Sequence, residues 1–164
     1  MGRGITIELR SGDDACELGR VVCERLALSG GMPREEADGF FFAVREAIDN
    51  ACHHGNNLDP NRAVTIHYLC TNEDITVTVS DCGNGFAYEP WLELGRTGNP
   101  LLQAQQHRVE GRRGGLGIML MCRCCDEVRY LPPGNSIRLT KRLGCANQSL
   151  SAKIGQEQQA AGGV

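Results

Sequence analysis

Residues 44–55 read VREAIDNACHHG and contain the clearest helical pattern in the chain. Apolar side chains recur along one stripe at a spacing of 3.6 residues. They are Phe40, Phe41, Val44, Ile48, Ala51 and Cys52. Glu46 and Asn50 are four positions apart, about 40° around the helix, on the face opposite that stripe. The pattern predicts an amphipathic helix with Pro33 in its first turn and an end near Gly55.

The Glu46–Asn50 pair has two possible meanings. A carboxylate can accept a proton from a hydroxyl group, and an amide oxygen can bind a hard cation such as Mg²⁺. The same pair also occurs on an ordinary solvated helix face. Its interpretation therefore depends on the rest of the chain.

A second polar motif follows two predicted strands, at residues 63–70 and 74–81. The motif reads SDCGNGF over residues 80–86, so Asp81 leaves the strand into two glycines, Gly83 and Gly85. The carboxylate can accept a hydrogen bond from an exocyclic amine, and the glycines let a flat ligand approach the backbone. A plain turn that begins at an aspartate would give the same pattern.

A third motif, RRGGLG at residues 112–117, opens a helix predicted to extend to about residue 125. Unpaired backbone N–H groups at a helix N-terminus can bind phosphate, and Arg112 or Arg113 can add charged contacts. A flexible hinge explains the glycines about equally well. The motif is neither a P-loop nor a dinucleotide-binding fingerprint.

The remaining segments define the fold class. Residues 83–114 have no periodic pattern, as is typical of a functional lid. A strand from Ile5, a helix from Asp13 or Asp14 to Leu28, and strands at residues 127–131 and 136–142 complete the chain. This order predicts an α+β fold, a two-layer α/β sandwich with helices on one face of a mixed, mostly antiparallel sheet.

The chain has 164 residues, which favours one domain over residues 1–143. Residues 144–164 are rich in Gln, Ala, Ser and Gly and are predicted to be a disordered tail. The net charge of −3 and 5% aromatic content give no basic or stacking surface for nucleic acid. No window approaches the roughly 20 apolar residues of a membrane helix, and no signal peptide is evident, so we expect a cytoplasmic protein.

The nine cysteines suggest neither a disulfide framework nor a metal site in such a compartment. Cys122, Cys124 and Cys125 lack the paired spacing of zinc ligands. We therefore expect the cysteines to act as small buried apolar residues.

Together, the three motifs resemble the ATP-binding superfamily of gyrase, the bacterial histidine kinases and mismatch-repair proteins, the Bergerat fold. Within it, the chain is similar to the small anti-sigma-factor serine kinases. Residues 44–55 match their E-x-x-x-N-A-x-x-H-G box, residues 81–86 their D-x-G-x-G-F box and residues 114–117 their second glycine box. The resemblance covers residues 5–142. Asn56 departs from it, because these kinases often have an aromatic residue after His-Gly, and we expect the departure to affect local packing alone.

The resemblance implies specific roles for several residues. Glu46 would be the base that acts on a protein serine, and Asn50 would bind Mg²⁺. Asp81 would anchor the adenine of ATP, with Gly83 and Gly85 beside the base.

It also implies a phosphate site and a lid. Gly115 and Gly117 would donate backbone N–H groups to the phosphates, and residues 87–113 would form the lid. The remaining expected nucleotide contacts are His54, Arg113, Gly114 and Leu116. The partners implied are an anti-anti-sigma factor as substrate, a sigma factor and a second copy in a homodimer, with no direct nucleic acid or membrane contact.

Two other functions remain open. A non-catalytic binding module would use ATP only to shape a partner-binding surface. A fragment of a sensor histidine kinase is disfavoured, because the chain begins at Met1 with the strand of this domain. His53 and His54 also lie inside the nucleotide-binding helix, which makes them poor phospho-acceptors.

Overall fold

The structure of the chain is a computed structural model that describes residues 2–11, 17, 21–22, 25, 32–98 and 116–143. Three expected site residues lie outside these ranges: Arg113, Gly114 and Gly115. Most of the helix predicted from Asp13 or Asp14 to Leu28 and all of the tail at 144–164 also lie outside them.

Five strands form one sheet in the described part of the chain. They are β1 (Arg3–Arg10), β2 (Ala63–Cys70), β3 (Asp74–Ser80), β4 (Glu127–Leu131) and β5 (Ser136–Arg142). Their order is β1-β2-β3-β5-β4, and each neighbouring pair is antiparallel. The sheet of the described residues is thus antiparallel throughout, rather than mixed as predicted.

Strand β3 shows why the sheet has one buried face. Ile75, Val77 and Val79 are buried, while the alternating Thr76 and Thr78 are half-buried on the other face. Successive side chains of a strand point to opposite faces, so this alternation places the apolar row toward the helices. The central strand therefore separates the core from the open face of the sheet.

The longest described helix, α1 (Arg34–Asn50), lies on the buried face and continues as a π-helix over Ala51–Gly55. Pro33 precedes it in extended backbone, and Glu35 and Glu36 occupy its first turn, where the helix dipole favours negative charge. Its apolar stripe is buried as predicted, except that Phe41 is only half-buried. The predicted end at Gly55 is confirmed, but the last turn is wider than an α-helical one.

The expected lid segment contains a helix that the sequence pattern did not predict, α2 (Glu89–Thr97). Pro90 lies in its first turn, where a missing N–H costs nothing. Leu92 and Gly95 are its buried residues, and its few apolar side chains lie within a long glycine-rich segment, so the short helical pattern is easily overlooked. A Cβ on Gly95 would lie 3.1 Å from the Cys122 Sγ atom, so this glycine lets α2 pack closely on the next helix.

That helix, α3 (Leu116–Cys124), completes the helical layer together with α1. The fully buried side chains come from both layers. They include Phe40, Ile48, Ile66, Ile75, Met119, Met121 and Leu139. The predicted α+β fold is confirmed, and in the described part of the chain no helix is long and apolar enough to cross a membrane.

Among the described cysteines, two depart from the prediction of small buried apolar residues: Cys82 is exposed, and Cys52 forms a disulfide bond. Cys125 is buried, Cys122 and Cys124 are half-buried, and burial raises the pKa of all three thiols. Among the described residues, no three His, Cys, Asp or Glu side chains form a group that could hold a metal ion. Cys52 differs, because it is buried and disulfide-bonded.

Candidate active site

A cavity of about 650 Å³ lies between α1, the end of β3, the start of α3 and the turn before β5. Its size is typical of small-molecule sites. Eight of the eleven expected site residues line it: Glu46, Asn50, His54, Asp81, Gly83, Gly85, Leu116 and Gly117. The fold thus brings together three motifs that are far apart in the sequence, at residues 44–55, 80–86 and 112–117.

Asp81 lies half-buried at the end of β3, at one side of the cavity. Its Oδ1 accepts a hydrogen bond of 2.7 Å from the Gly83 N–H, while Oδ2 accepts none from a described residue. Burial raises the pKa of Asp81, and the Gly83 hydrogen bond and Arg62 oppose the rise. One oxygen is therefore held by the protein, and the other receives no hydrogen bond from the part of the chain that the structure describes.

Two glycines make room for this carboxylate. A Cβ on Gly55 would overlap the Asp81 carboxylate, so the end of the π-helix can pack on it only as glycine. A Cβ on Gly83 would lie 2.7 Å from the Gly55 carbonyl oxygen. The glycines of two separate sequence motifs are therefore explained by one contact.

A glycine is required at position 85 for a reason other than the expected approach of the adenine base. Its φ is +77°, a conformation that favours glycine, and an added Cβ would overlap the Pro133 carbonyl oxygen. The backbone of the β4–β5 turn thus requires a glycine here, whatever binds in the cavity.

Glu46 and Asn50 lie one helical turn apart on α1 and face the first turn of α3. A Cβ on Gly117 would lie 2.5 Å from the Glu46 Oε2 atom and 3.8 Å from the Asn50 Nδ2 atom. Burial raises the pKa of Glu46, Asp49 raises it further, and Arg45 lowers it. The site therefore holds a carboxylate whose affinity for a proton is increased.

Leu116 and Gly117 begin α3 beside this pair. The first N–H groups of a helix have no partner within the helix and carry the positive end of its dipole. An anion in the cavity would meet these groups on one side and α1 on the other. His54 also lines the cavity, as an exposed side chain near the end of the π-helix.

Several lining residues belong to none of the three motifs. Val79 and Ile137 form apolar walls, and Asn135 contacts Asp81 through its backbone and its side chain. Tyr130 is 8% exposed and lies edge-on to Phe86, with ring centroids 5.2 Å apart. No local sequence signal marks these residues, because their proximity depends on the pairing of β3 with β5 and of β4 with β5.

Comparisons with known proteins agree with this geometry. The histidine kinase-like ATPase domain family matches residues 13–141. The serine-protein kinase RsbW of Listeria monocytogenes serotype 4a (strain HCC23) is 29% identical over 141 residues, which are 85% of this chain and 87% of that protein. The serine-protein kinase RsbW of Bacillus subtilis (strain 168) is 32% identical over 127 residues, covering 73% and 76%.

A solved structure has the same fold. A chain from the crystal structure of the SiaB–SiaC complex of Pseudomonas aeruginosa superposes with a TM-score of 0.63, covering 83% of this chain and 88% of that chain at 15% identity. The family match spans most of the chain and includes all three motifs. The chain therefore belongs to the histidine kinase-like ATPase domain family, among the RsbW serine-protein kinases.

Proposed function

We propose that the chain is the kinase of a partner-switching pathway. It transfers the γ-phosphoryl group of ATP to a serine of an anti-anti-sigma factor, and it sequesters a sigma factor when that partner is phosphorylated. One observation carries the proposal. A single cavity has an amine-accepting carboxylate, Asp81, at one side and the Glu46–Asn50 pair with the α3 N-terminus at the other.

The Asp81 side of the cavity suits adenine. The free Oδ2 atom can accept a hydrogen bond from the exocyclic amine, as an ionised carboxylate accepts and does not donate. Val79 and Ile137 provide apolar surface for the flat ring, and Gly83 lets the ring approach the backbone.

The opposite side suits the phosphates and Mg²⁺. The first N–H groups of α3 would bind the phosphate oxygens, and Arg113, Gly114 and Gly115 directly precede them in the chain. The amide oxygen of Asn50 is a suitable ligand for Mg²⁺, which offsets phosphate charge when it is bound.

In this proposal Glu46 takes the proton of the substrate hydroxyl. The serine oxygen forms a bond to the γ-phosphorus, the bond from that phosphorus to the β–γ bridging oxygen breaks, and ADP leaves with the bond electrons. The hydroxyl proton passes to the Glu46 carboxylate. A base with a raised pKa is better matched to this proton than an ordinary glutamate.

The relatives and the net charge support the proposed partners. Serine-protein kinases of this type imply a protein substrate, and the acidic net charge of −3 is unsuited to direct nucleic acid binding. We propose a cytoplasmic homodimer.

The second candidate is a non-catalytic ATP-dependent switch with the same partners. Glu46 favours the kinase, because a binding module needs no base beside the phosphate site.

The deciding experiment incubates the full chain with labelled ATP, Mg²⁺ and purified candidate anti-anti-sigma proteins. Label on a partner serine that is lost in Glu46→Gln, but not in the exposed control Glu36→Gln on the same helix, supports the kinase. ATP-dependent capture without label supports the switch.

A further inference from the structure

Asn56 is a fully buried polar side chain at 0% exposure, immediately after Gly55. Among the described residues, the other buried polar side chain is Ser11, and the two contact each other. A buried amide is costly unless its donors and acceptor are satisfied, so its partners indicate what it holds in place.

The Asn56 side chain joins three segments that are distant in sequence. Its Nδ2 donates to the Ser11 Oγ atom just after β1, at 2.7 Å, and to the Ala63 carbonyl at the start of β2, at 2.9 Å. Its Oδ1 accepts the backbone N–H of Cys82 at 2.8 Å. Both amide protons and the carbonyl oxygen are therefore used.

The third of these bonds acts on the peptide group between Asp81 and Cys82. Asn56 accepts the N–H of that peptide, and Asn135 Nδ2 donates to its C=O at 3.1 Å. Two asparagine side chains thus hold the same peptide plane from its two sides. Gly55, next to Asn56 in the chain, packs against the Asp81 carboxylate itself.

We infer that Asn56 is a positioning residue that sets the orientation of the Asp81 carboxylate and thereby the preference for a 6-amino over a 6-oxo purine nucleotide. The inference rests on the proposed function, because it assumes that Asp81 accepts the adenine amine. Similar kinases often have an aromatic residue at this position. The asparagine found here would therefore have a specific role beyond local packing.

The test compares the binding of ATP and inosine triphosphate to the full chain by calorimetry. Inosine triphosphate has an oxygen in place of the amine, so we expect the wild type to prefer ATP by at least about tenfold. In Asn56→Ala this preference should fall to less than about threefold, since the Asp81–Cys82 peptide loses its acceptor. The control Asn61→Ala removes an exposed asparagine a few residues away and should keep the wild-type ratio.

Conservative variants separate positioning from stability. Ser11→Ala removes the acceptor of one Asn56 N–H group, and Asn56→Asp removes the N–H donors themselves. Both keep an acceptor for the Cys82 N–H, so both should lower the melting temperature and keep the preference for ATP. Hydrogen exchange at the Cys82 amide in the nucleotide-free protein should speed up in Asn56→Ala and not in Asn61→Ala. If Asn56→Ala does not fold, Asn56→Leu fills the volume without an acceptor and takes its place.

The outcomes separate the proposed function from the positioning role of Asn56. A wild type that binds neither nucleotide contradicts the proposed function. A wild type that prefers ATP, with an alanine or leucine variant that keeps the full preference or weakens both nucleotides equally, contradicts the positioning role alone. Loss of the preference in Asn56→Ala or Asn56→Leu, with ATP still bound and the wild-type ratio kept in Asn61→Ala, supports it.

Discussion

The Glu46 carboxylate packs directly against the backbone of Gly117, and a Cβ at position 117 would lie 2.5 Å from the Glu46 Oε2 atom. This contact brings α1 and α3 close enough for the polar face of one helix to meet the N-terminus of the other. It also makes position 117 sensitive in a particular way, because the atom that would have to move is the end of a flexible side chain rather than backbone.

Gly117→Ala should therefore impair catalysis and spare the fold. The added methyl forces Glu46 to another rotamer, while alanine in place of glycine favours the helix by up to about 1 kcal/mol. We expect an unchanged or higher melting temperature and a phosphotransfer rate reduced by roughly tenfold or more, within the range of a general-base contribution. A clear loss of stability with full activity would contradict the contact.

Gly55→Ala should abolish ATP binding by the same kind of clash at the other side of the cavity. Its Cβ would overlap the Asp81 carboxylate, whose backbone is fixed by β3 and cannot retreat freely. The matched control is Gly39→Ala in α1, where the nearest atom to an added Cβ, the Cys124 Sγ, lies 3.8 Å away. Calorimetric titration with ATP should show binding for the control and none for Gly55→Ala or Asp81→Asn.

The sequence predicts most of the fold because its elements have strong local patterns. Strands 127–131 and 136–142 alternate apolar and polar residues and occur as predicted, and the helix stripe from Phe40 to Cys52 identifies the main core helix. The sequence does not predict the helix Glu89–Thr97, because its few apolar residues lie within a long glycine-rich segment that is typical of a lid. Its packing is determined by α3, which lies more than 15 residues further along the chain.

The sequence predicts the parts of the site that come from contiguous motifs. It does not predict the parts that strand pairing brings together across the sheet. Glu46, Asp81 and Gly117 stand in recognisable segments, and the structure places all three around one cavity. Asn56 and Asn135 hold one peptide group from opposite sides although they are 79 positions apart. Such a relationship depends on strand register, which no local pattern contains.

The pH dependence of turnover should reflect Glu46. A base acts in its ionised form, so kcat at saturating Mg²⁺-ATP should fall as the pH drops through the pKa of Glu46. That pKa lies above its ordinary value of 4.5 because of burial, so the loss should begin at a higher pH than for an ordinary glutamate. A rate independent of pH on the acid side would contradict the base assignment.

The contribution of Glu46 to folding stability should fall as the pH rises, whereas its contribution to kcat should increase. A carboxyl whose folded-state pKa is raised contributes stability below its unfolded pKa, and that contribution is lost as the pH rises through the folded value. Glu46→Gln removes the titration, so its melting temperature should vary less than that of the wild type over this range. An identical pH profile for the two proteins would show that Glu46 does not carry the raised pKa.

Variants of Glu46 and Asn50 should separate catalysis from nucleotide binding. Glu46→Gln keeps the size of the side chain and removes the proton acceptor, so ATP affinity should be nearly unchanged while phosphotransfer falls by about 10²-fold or more. Asn50→Ala removes the proposed metal ligand, so it should weaken Mg²⁺-ATP binding itself. Partner capture should survive Glu46→Gln, because a protein–protein interface is far larger than the contact area of one side chain. ATP affinity, label transfer to the partner and partner capture are measured on all three proteins. If Glu46→Gln lowers the affinity for ATP as much as Asn50→Ala does, Glu46 contributes to nucleotide binding rather than to proton transfer. The assignment of Glu46 as the catalytic base is then wrong.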